Sequence, residues 1–207
     1  MSRPRTLQDG LITELRRRIV AGEFLPGGRL PSRTELEAEF GVSRVTIQRV
    51  FDCLGRDGFV VSEPGSGTVV SKHPPHLNRF GLVFATGAGG EGGFVEALKA
   101  EALKFDPAGA RSIVSYIGID AHSDNENYRQ LVHDVESHRL AGLIYVFSPG
   151  EFHDPALLEQ CRLPSVTLTN GEAPAGMPAV SFESEAMMRR ALDHVASIGR
   201  KIGRAHV

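Results

Sequence analysis

The sequence predicts two domains, an α+β domain over residues 1–71 and an α/β domain with a parallel sheet over residues 80–201. In the first, three stretches of helical period precede two short β-rich runs around a glycine-rich turn. In the second, strand-like runs alternate with helical ones, which is typical of a parallel sheet covered by helices. The charge also changes sign, because residues 1–79 hold 12 Lys and Arg against 9 Asp and Glu, and the remainder holds 11 against 16.

The first domain is predicted to begin with three helices. A helical period of apolar residues starts at Leu7. Ser32, followed three residues later by Glu35, is a capping-box signature for a second helix that Gly41 ends. Ser43 is predicted to cap a third helix. Its apolar residues fall at i, i+3, i+4 and i+7 and should be buried: Ile47, Val50, Phe51 and Leu54.

A hairpin and a linker are predicted after the third helix. Residues 59–61 and 68–70 are β-rich and flank a turn that contains Gly65. Residues 72–79 include Pro74 and Pro75, so they are predicted to form a stiff linker without regular structure. Two helices joined by a tight turn and followed by a hairpin form a winged helix-turn-helix. In this fold the second helix of the motif, here the third helix of the domain, enters the major groove of DNA.

The face of the third helix opposite the apolar residues is suited to contacting base edges. Arg44 and Gln48 lie four residues apart and therefore share this face. Arginine can donate two hydrogen bonds to guanine, and glutamine can pair with adenine in a similar bidentate way. Ser43, Thr46 and Arg49 are predicted to contact phosphates near the helix start. The alternative is an ordinary solvated helix face.

This segment resembles the N-terminal domain of GntR-family transcription regulators. The resemblance extends from Gly22 to Val70 and rests on a set of short motifs: Leu30-Pro31-Ser32, Val42-Ser43-Arg44, Thr46, Gly58 and Gly65-Ser66-Gly67-Thr68. It implies that Ser43, Arg44, Thr46 and Gly65 contact DNA. It also implies a homodimer that binds double-stranded DNA at a palindromic operator.

Two positions differ from the family pattern. The family usually has Ser-Glu-Arg after the proline and Thr-Val-Arg in the recognition helix, where this sequence has Ser-Arg-Thr and Thr-Ile-Gln. Thr34 and Gln48 therefore replace the usual arginine contacts. We expect a different operator preference, with Arg33 acting as a phosphate clamp.

The rear domain has the element order of an effector-binding lobe. Strands are predicted at 80–85, 112–119, 142–147, 165–168 and 179–182, and helices at 94–105, 125–138, 155–161 and 184–198. The runs FGLVFAT, SIVSYIGID and LPSVTLTN resemble the effector domain of LacI-type regulators. This resemblance implies an α/β parallel-sheet lobe of periplasmic-binding-protein type, which would bind a small-molecule effector.

In open α/β sheets, ligands bind at the loops that leave the carboxyl ends of the strands. Polar residues at or near the start of those loops are the expected effector contacts: Thr86, Asp120, Asn125, Ser148 and Asn170. Asparagine and aspartate supply the donors and acceptors that hydroxyl groups require. By analogy with the LacI type, a sugar is the expected effector class.

Other functions remain open at this point. Gly87–Gly92 fits the G-x-G-x-x-G pattern, which would suit an NAD-sensing repressor or an NAD-dependent enzyme. However, the acidic residue expected about 20 residues on is absent, since Asp120 lies 28 residues after Gly92. A solute-binding module would not explain the first domain. No catalytic motif is present and Cys53 and Cys161 lack metal-ligand spacing, so we expect no enzyme, cofactor or metal.

The composition favours a cytoplasmic protein without a membrane segment. The sequence is 41% hydrophobic, with no apolar run long enough to span a bilayer and no secretory signal. Ile202–Val207 matches the translation of a common ligated sequencing adapter. We therefore expect residues 202–207 to be a non-native tail, and the native chain to continue beyond Lys201 with the rest of a second lobe.

Overall fold

The computed structural model describes residues 7–85, 93–104, 110–119, 125–146, 163–169, 176–181 and 184–198. Within these ranges, none of the helices combines the length and apolar character needed to cross a bilayer. Each domain has its own buried apolar core. The first core joins three helices and the hairpin, and the rear domain has apolar clusters on both faces of a sheet.

The three predicted helices of the first domain are confirmed as α1 (Leu7–Val20), α2 (Arg33–Phe40) and α3 (Arg44–Arg56). The capping box is complete, since Ser32 Oγ accepts from Glu35 N–H at 3.3 Å and Glu35 Oε2 accepts from Ser32 N–H at 2.6 Å. The predicted apolar side chains of α3 are buried in the core. The opposite face of α3 is therefore left to solvent.

The hairpin consists of β1 (Val60–Glu63) and β2 (Gly67–Val70), paired antiparallel. A third segment lies beside β2, because Leu30 N–H donates to Thr68 O at 2.9 Å and Val70 N–H donates to Gly28 O at 2.8 Å. An isolated two-stranded hairpin is marginally stable in water. This added edge, which the sequence analysis did not predict, fixes the wing to the helices.

The linker prediction for residues 72–79 is wrong in one respect. Pro75–Asn78 forms a one-turn helix, α4, and Arg79 already belongs to the first strand of the rear domain. Pro75 occupies the first helical turn, where a missing N–H costs nothing. The prolines are buried, and His76 stacks on Phe59 with 5.9 Å between ring centroids. The connection therefore packs on the first domain.

The rear domain contains a parallel sheet, as predicted. Its elements are β3 (Arg79–Ala85), α5 (Gly93–Lys104), β4 (Ser112–Ile119), α6 (Glu126–Glu136), β5 (Gly142–Val146), β6 (Ser165–Thr169), β7 (Ala179–Ser181) and α7 (Ser184–Ser197). All neighbouring strands run parallel, in the order β4-β3-β5-β6-β7. The helix predicted at 155–161 lies outside the described residues.

Alternate residues of the strands pack on opposite faces of this sheet. Val83 and Tyr145 belong to a cluster with Leu131 of α6, and Phe84 belongs to a cluster that includes Leu98 of α5. Both faces of a parallel sheet must be covered, because its strands are apolar on both sides. The helices predicted between the strands therefore have the packing role that the pattern indicated.

Candidate nucleic-acid interface

The start of α3 presents its backbone and side chains to solvent. Ser43 is the N-cap, and its Oγ accepts from Thr46 N–H at 3.3 Å and lies 3.0 Å from Thr46 Oγ1. Arg44 is exposed at the first helical residue, and Gln48 is half-buried one turn later. N–H groups at a helix start lack intrahelical partners and favour an anion such as phosphate. The predicted contacts Ser43, Arg44, Thr46 and Gln48 thus lie together.

Two sets of arginines in the first domain differ in whether they have acidic partners. Those of α1 are engaged: Arg16 with Asp57, Arg17 with Glu14 and Glu23, and Arg18 with Glu14, Glu23 and Glu39. Hydrogen bonds from Arg17 and Arg18 lower the pKa of Glu14 to about 2. By contrast, Arg29, Arg44 and Arg49 are exposed, with no acidic side chain within ion-pair distance among the described residues. These cations are available to phosphates and bases.

The wing tip is exposed over residues 61–67. Gly65 has a φ of 80°, and a Cβ added there would meet no atom within 4 Å. Backbone at this tip can therefore approach a groove closely. Arg29 lies beside the wing, since a Cβ at Gly67 would be 3.7 Å from Arg29 Nε. The sequence analysis missed Arg29, and no local pattern indicated it.

The remaining predicted contacts lie at the start of α2. Thr34 is exposed there, and Arg33 is half-buried. The guanidinium of Arg33 lies over the Phe51 ring at 5.9 Å from its centroid. This contact places Arg33 next to the recognition helix. Its phosphate-clamp role stays a prediction.

One side-chain contact on the exposed face of α3 was also missed. Gln48 Nε2 donates to Asp52 Oδ1 at 2.7 Å. The pair lines a groove between α3 and the wing, together with Arg56, Ser62 and Thr68. The i, i+4 spacing of Gln48 and Asp52 is a signal in the sequence that could have revealed it.

The predicted effector contacts are described at one residue only. Asn125 is the N-cap of α6: its Oδ1 accepts from Tyr128 N–H at 2.8 Å, and its Nδ2 donates to Gly118 O at 2.7 Å. Both ends of its amide thus have partners within the lobe. Outside the described residues lie Thr86, Asp120, Ser148, Asn170 and the Gly87–Gly92 loop. No cluster of metal-binding side chains occurs in the described ranges.

Charged side chains connect the two domains, and we call this set the charged junction: Arg16, Asp57, Arg79, Asp134 and Arg139. Arg139 is the bridge, with Nη2 at 3.2 Å from Asp57 Oδ1 and Nη1 at 3.2 Å from Asp134 Oδ1. Asp57, the C-cap of α3, also pairs with Arg16. Asp134 is fully buried and has a second cation, Arg79 Nη2, at 3.6 Å. Burial strengthens such pairs and makes breaking them costly.

Neutral groups complete this region. Tyr116 Oη donates to Asp134 Oδ2 at 2.7 Å, and burial together with this bond raises the pKa of Tyr116. Burial lowers the pKa of His76, with the nearby His138 lowering it further. Burial also lowers the pKa of His138, and the positive charge of Arg16 acts in the same direction. The junction therefore favours neutral histidines beside its paired ions.

Comparisons with known proteins agree on the first domain. The family model "Bacterial regulatory proteins, gntR family" matches residues 7–70. The mannosyl-D-glycerate transport/metabolism system repressor MngR of Escherichia coli K12 is 38% identical over 68 residues, which are 33% of this chain and 28% of that protein. The arabinose metabolism transcriptional repressor of Halalkalibacterium halodurans is 32% identical over 68 residues, 33% of this chain and 18% of that protein.

A solved structure of the AraR DNA-binding domain in complex with operator ORR3 is 30% identical to this chain, with a TM-score of 0.31. The match covers 34% of this chain and 93% of that domain. The matches to the two repressors span less than a third of each relative's length and describe the first domain only. GntR-family domains bind DNA and are not enzymes. Residues 7–70 form a DNA-binding domain of the gntR family of bacterial regulatory proteins.

Proposed function

We propose that the whole protein is a transcription regulator that binds a specific operator in double-stranded DNA. The observation behind this proposal is the exposed start of α3, where Arg44 and Gln48 share one face with no competing acidic partner for Arg44 among the described residues. Ser43, Thr46 and Arg49 supply phosphate contacts at the same helix end. Arg29 and the Gly65 tip of the wing supply contacts at the neighbouring groove. The sequence resemblance adds a homodimer that binds a palindromic operator, with half-sites related by the protein's two-fold axis.

We further propose that the rear domain is a LacI-like lobe that binds a small effector. Its strand order places β3 between β4 and β5, and this order supports the proposal. The chain runs from β3 to β4 on one side and then crosses back past β3 to β5 on the other side, so the strand order reverses there. In such sheets ligands bind where the order reverses, beside the carboxyl ends of the strands. Those ends are Ala85 and Val146, next to the predicted contacts Thr86 and Ser148.

A sugar or sugar acid is the proposed effector class. Two of the relatives that share the DNA-binding domain are named as repressors of mannosyl-D-glycerate and arabinose metabolism. The hydroxyl-matching residues predicted in the loops are compatible with this class. An NAD-sensing repressor that uses the Gly87–Gly92 loop is the alternative, and binding assays separate the two.

Effector binding needs a physical route to the recognition helix, and we propose the charged junction as that route. Asp57 caps α3, and Arg139 lies between α6 and β5 of the rear domain. A shift of the rear domain that moved Arg139 would change the partners of Asp57, and with them the orientation of α3. A ligand alters DNA affinity only if it favours one such arrangement over another.

The experiment that tests the DNA proposal is a selection of bound duplexes from random DNA with the full chain. Two salt concentrations separate specific from purely electrostatic binding. We expect an enriched palindrome whose binding is lost when Arg44 or Gln48 is replaced by alanine. Binding that occurs only at low salt, with no enriched sequence, would refute the proposal. Thermal-shift titrations with sugars, sugar acids and NAD then test the effector class.

A further inference from the structure

We propose that Asp52 determines specificity by positioning the Gln48 amide, so that the protein prefers adenine over guanine at the base pair that Gln48 contacts. The inference rests on the proposed function, since it concerns how the same helix selects its operator. Asp52 is exposed on α3, one turn after Gln48, and its Oδ1 accepts from Gln48 Nε2 at 2.7 Å. Asp52 would act through Gln48 and is therefore a positioning residue.

The carboxylate of Asp52 is unusual for a surface that would face DNA. In the described part of the chain no basic side chain lies within ion-pair distance of it, and the nearby Arg56 donates instead to the Asp52 backbone oxygen at 3.4 Å. An unpaired negative charge repels phosphates and weakens binding to every sequence. The contact through which the Asp52 carboxylate can act on base choice is its hydrogen bond from Gln48.

The hydrogen bond defines which groups of Gln48 remain for DNA. A glutamine amide has two N–H donors and one oxygen acceptor, and it can flip to exchange them. With one N–H held by Asp52, the amide is fixed and retains one N–H and the oxygen. These are the two groups that adenine requires, because the oxygen accepts from N6 and the N–H donates to N7.

The same arrangement disfavours guanine. Guanine presents two acceptors, O6 and N7, in the major groove. The fixed amide oxygen of Gln48 would then oppose O6, with the Asp52 carboxylate close by. A freely flipping amide could avoid this repulsion, whereas one held by Asp52 cannot. Asp52 would therefore make the Gln48 contact selective for adenine over guanine.

The test measures competition binding of the full chain to its selected operator and to a variant in which the adenine assigned to Gln48 is replaced by guanine. For the native chain we expect a preference for adenine of roughly 10- to 100-fold. Asp52→Ala removes the acceptor and the charge, and should reduce this preference severalfold. Asp52→Asn removes the charge but keeps an oxygen acceptor for Gln48, and should retain most of the preference.

Binding to random duplex provides the internal control. Both variants lack the negative charge, so both should bind random DNA more tightly by a similar factor. In a Gln48→Ala background, Asp52→Ala should have no further effect on the adenine preference. Because Asp52 is exposed, circular dichroism of each variant should match the native chain.

Two results would overturn the inference: equal loss of preference in Asp52→Ala and Asp52→Asn, or an unchanged preference in both. The first would assign the effect to charge alone, and the second would make the contact incidental. If the native chain itself shows no sequence preference, the proposed function fails instead. The two failures are therefore distinguishable.

Discussion

Arg139 and Asp57 form an ion pair across the boundary between the two domains, with 3.2 Å between Nη2 and Oδ1. Asp57 ends the recognition helix, and Arg139 follows His138, whose φ of 54° turns the chain after α6. The guanidinium of Arg139 also lies 3.2 Å from the fully buried Asp134. One side chain thus connects α3, the proposed recognition helix, with the core of the rear domain.

We expect Arg139→Met to destabilise the chain by about 2 kcal/mol, because it removes mostly buried charged contacts while Arg16 still pairs with Asp57 and Arg79 with Asp134. Amide hydrogen exchange at the C-terminal end of α3 should also accelerate. The matched control is Arg17→Met, whose side chain is 55% exposed compared with 19% for Arg139. An exposed pair contributes little to stability, because water and salt screen it. Equal losses for both variants in chemical denaturation would show that the junction adds nothing beyond a surface pair.

Arg44→Ala should weaken binding to the selected operator by about 1 to 3 kcal/mol and have much less effect on random DNA. Arg49→Ala should weaken binding to all sequences evenly, as expected for a phosphate contact. It should also reduce the slope of the logarithm of the binding constant against the logarithm of the salt concentration by about one. Fluorescence anisotropy at several salt concentrations measures both quantities. Arg17→Ala, on the paired face of α1, is the control that should leave DNA binding unchanged. An equal loss on operator and random DNA for Arg44→Ala would contradict its base contact.

Ser32→Ala should lower the free energy of unfolding by about 1 kcal/mol, because it removes the hydroxyl that caps α2. The Ser32 hydroxyl accepts from Glu35 N–H, which would lose its partner. Ser66→Ala on the exposed wing is the comparison and should change stability by only a few tenths of a kcal/mol. Urea denaturation followed by circular dichroism measures the difference, and equal stabilities would argue against the cap.

Gly142→Ala should destabilise the rear domain by about 1 to 3 kcal/mol through overpacking. A Cβ at Gly142 would lie 2.8 Å from the backbone oxygen of Pro164, which cannot move aside as a side chain would. Gly10→Ala is the matched control, since Gly10 lies within α1 with open space around a new Cβ. That change should stabilise the chain by roughly 0.5 to 1 kcal/mol. Two substitutions of the same chemistry should therefore have opposite signs, and a common sign would contradict the packing.

The stability of the chain should decrease as the pH falls from 7.5 to 5.5. Burial lowers the pKa of His76 and of His138 below the ordinary 6.5, so in this range the unfolded chain binds protons that the folded chain does not. His76 faces Phe59 and His138, and His138 faces Arg16. The stability that the two neutral histidines contribute is complete above pH 6.5. It is lost as the pH falls from 6.5 towards their lowered pKa values.

Thermal unfolding across this range measures the effect, and His76→Gln should flatten it while His73→Gln, at an exposed position, should not. An unchanged pH dependence in His76→Gln would contradict the role of burial.

The Glu14 carboxylate affects stability in a different pH range. With its pKa lowered to about 2, its contribution is present above pH 4.5 and is lost as the pH falls towards 2.

Local patterns in the sequence predicted most elements to within a few residues. The α3 stripe of Ile47, Val50 and Leu54 is buried as its 3.6-residue period indicated, and β4 has the predicted bounds of Ser112–Ile119. Such patterns succeed because helix and strand geometry alone places residues three, four or two apart on one face. The short helix at Pro75 was missed because a proline pair is compatible with either a linker or a first helical turn.

The sequence by itself determined the gntR-type DNA-binding domain, the exposed Arg44 and Gln48 face and the parallel order of the rear elements, since each depends on local spacing or short motifs. Only the tertiary structure decided which arginines are free. Arg29 lies at the wing because residues 27–30 pair with β2, and Arg16 is ion-paired because Asp57 ends α3 next to it. Arg139 reaches Asp57 through the packing of the two domains. Contacts between residues far apart in the chain depend on how whole elements pack, and the periodicity of the sequence does not predict them.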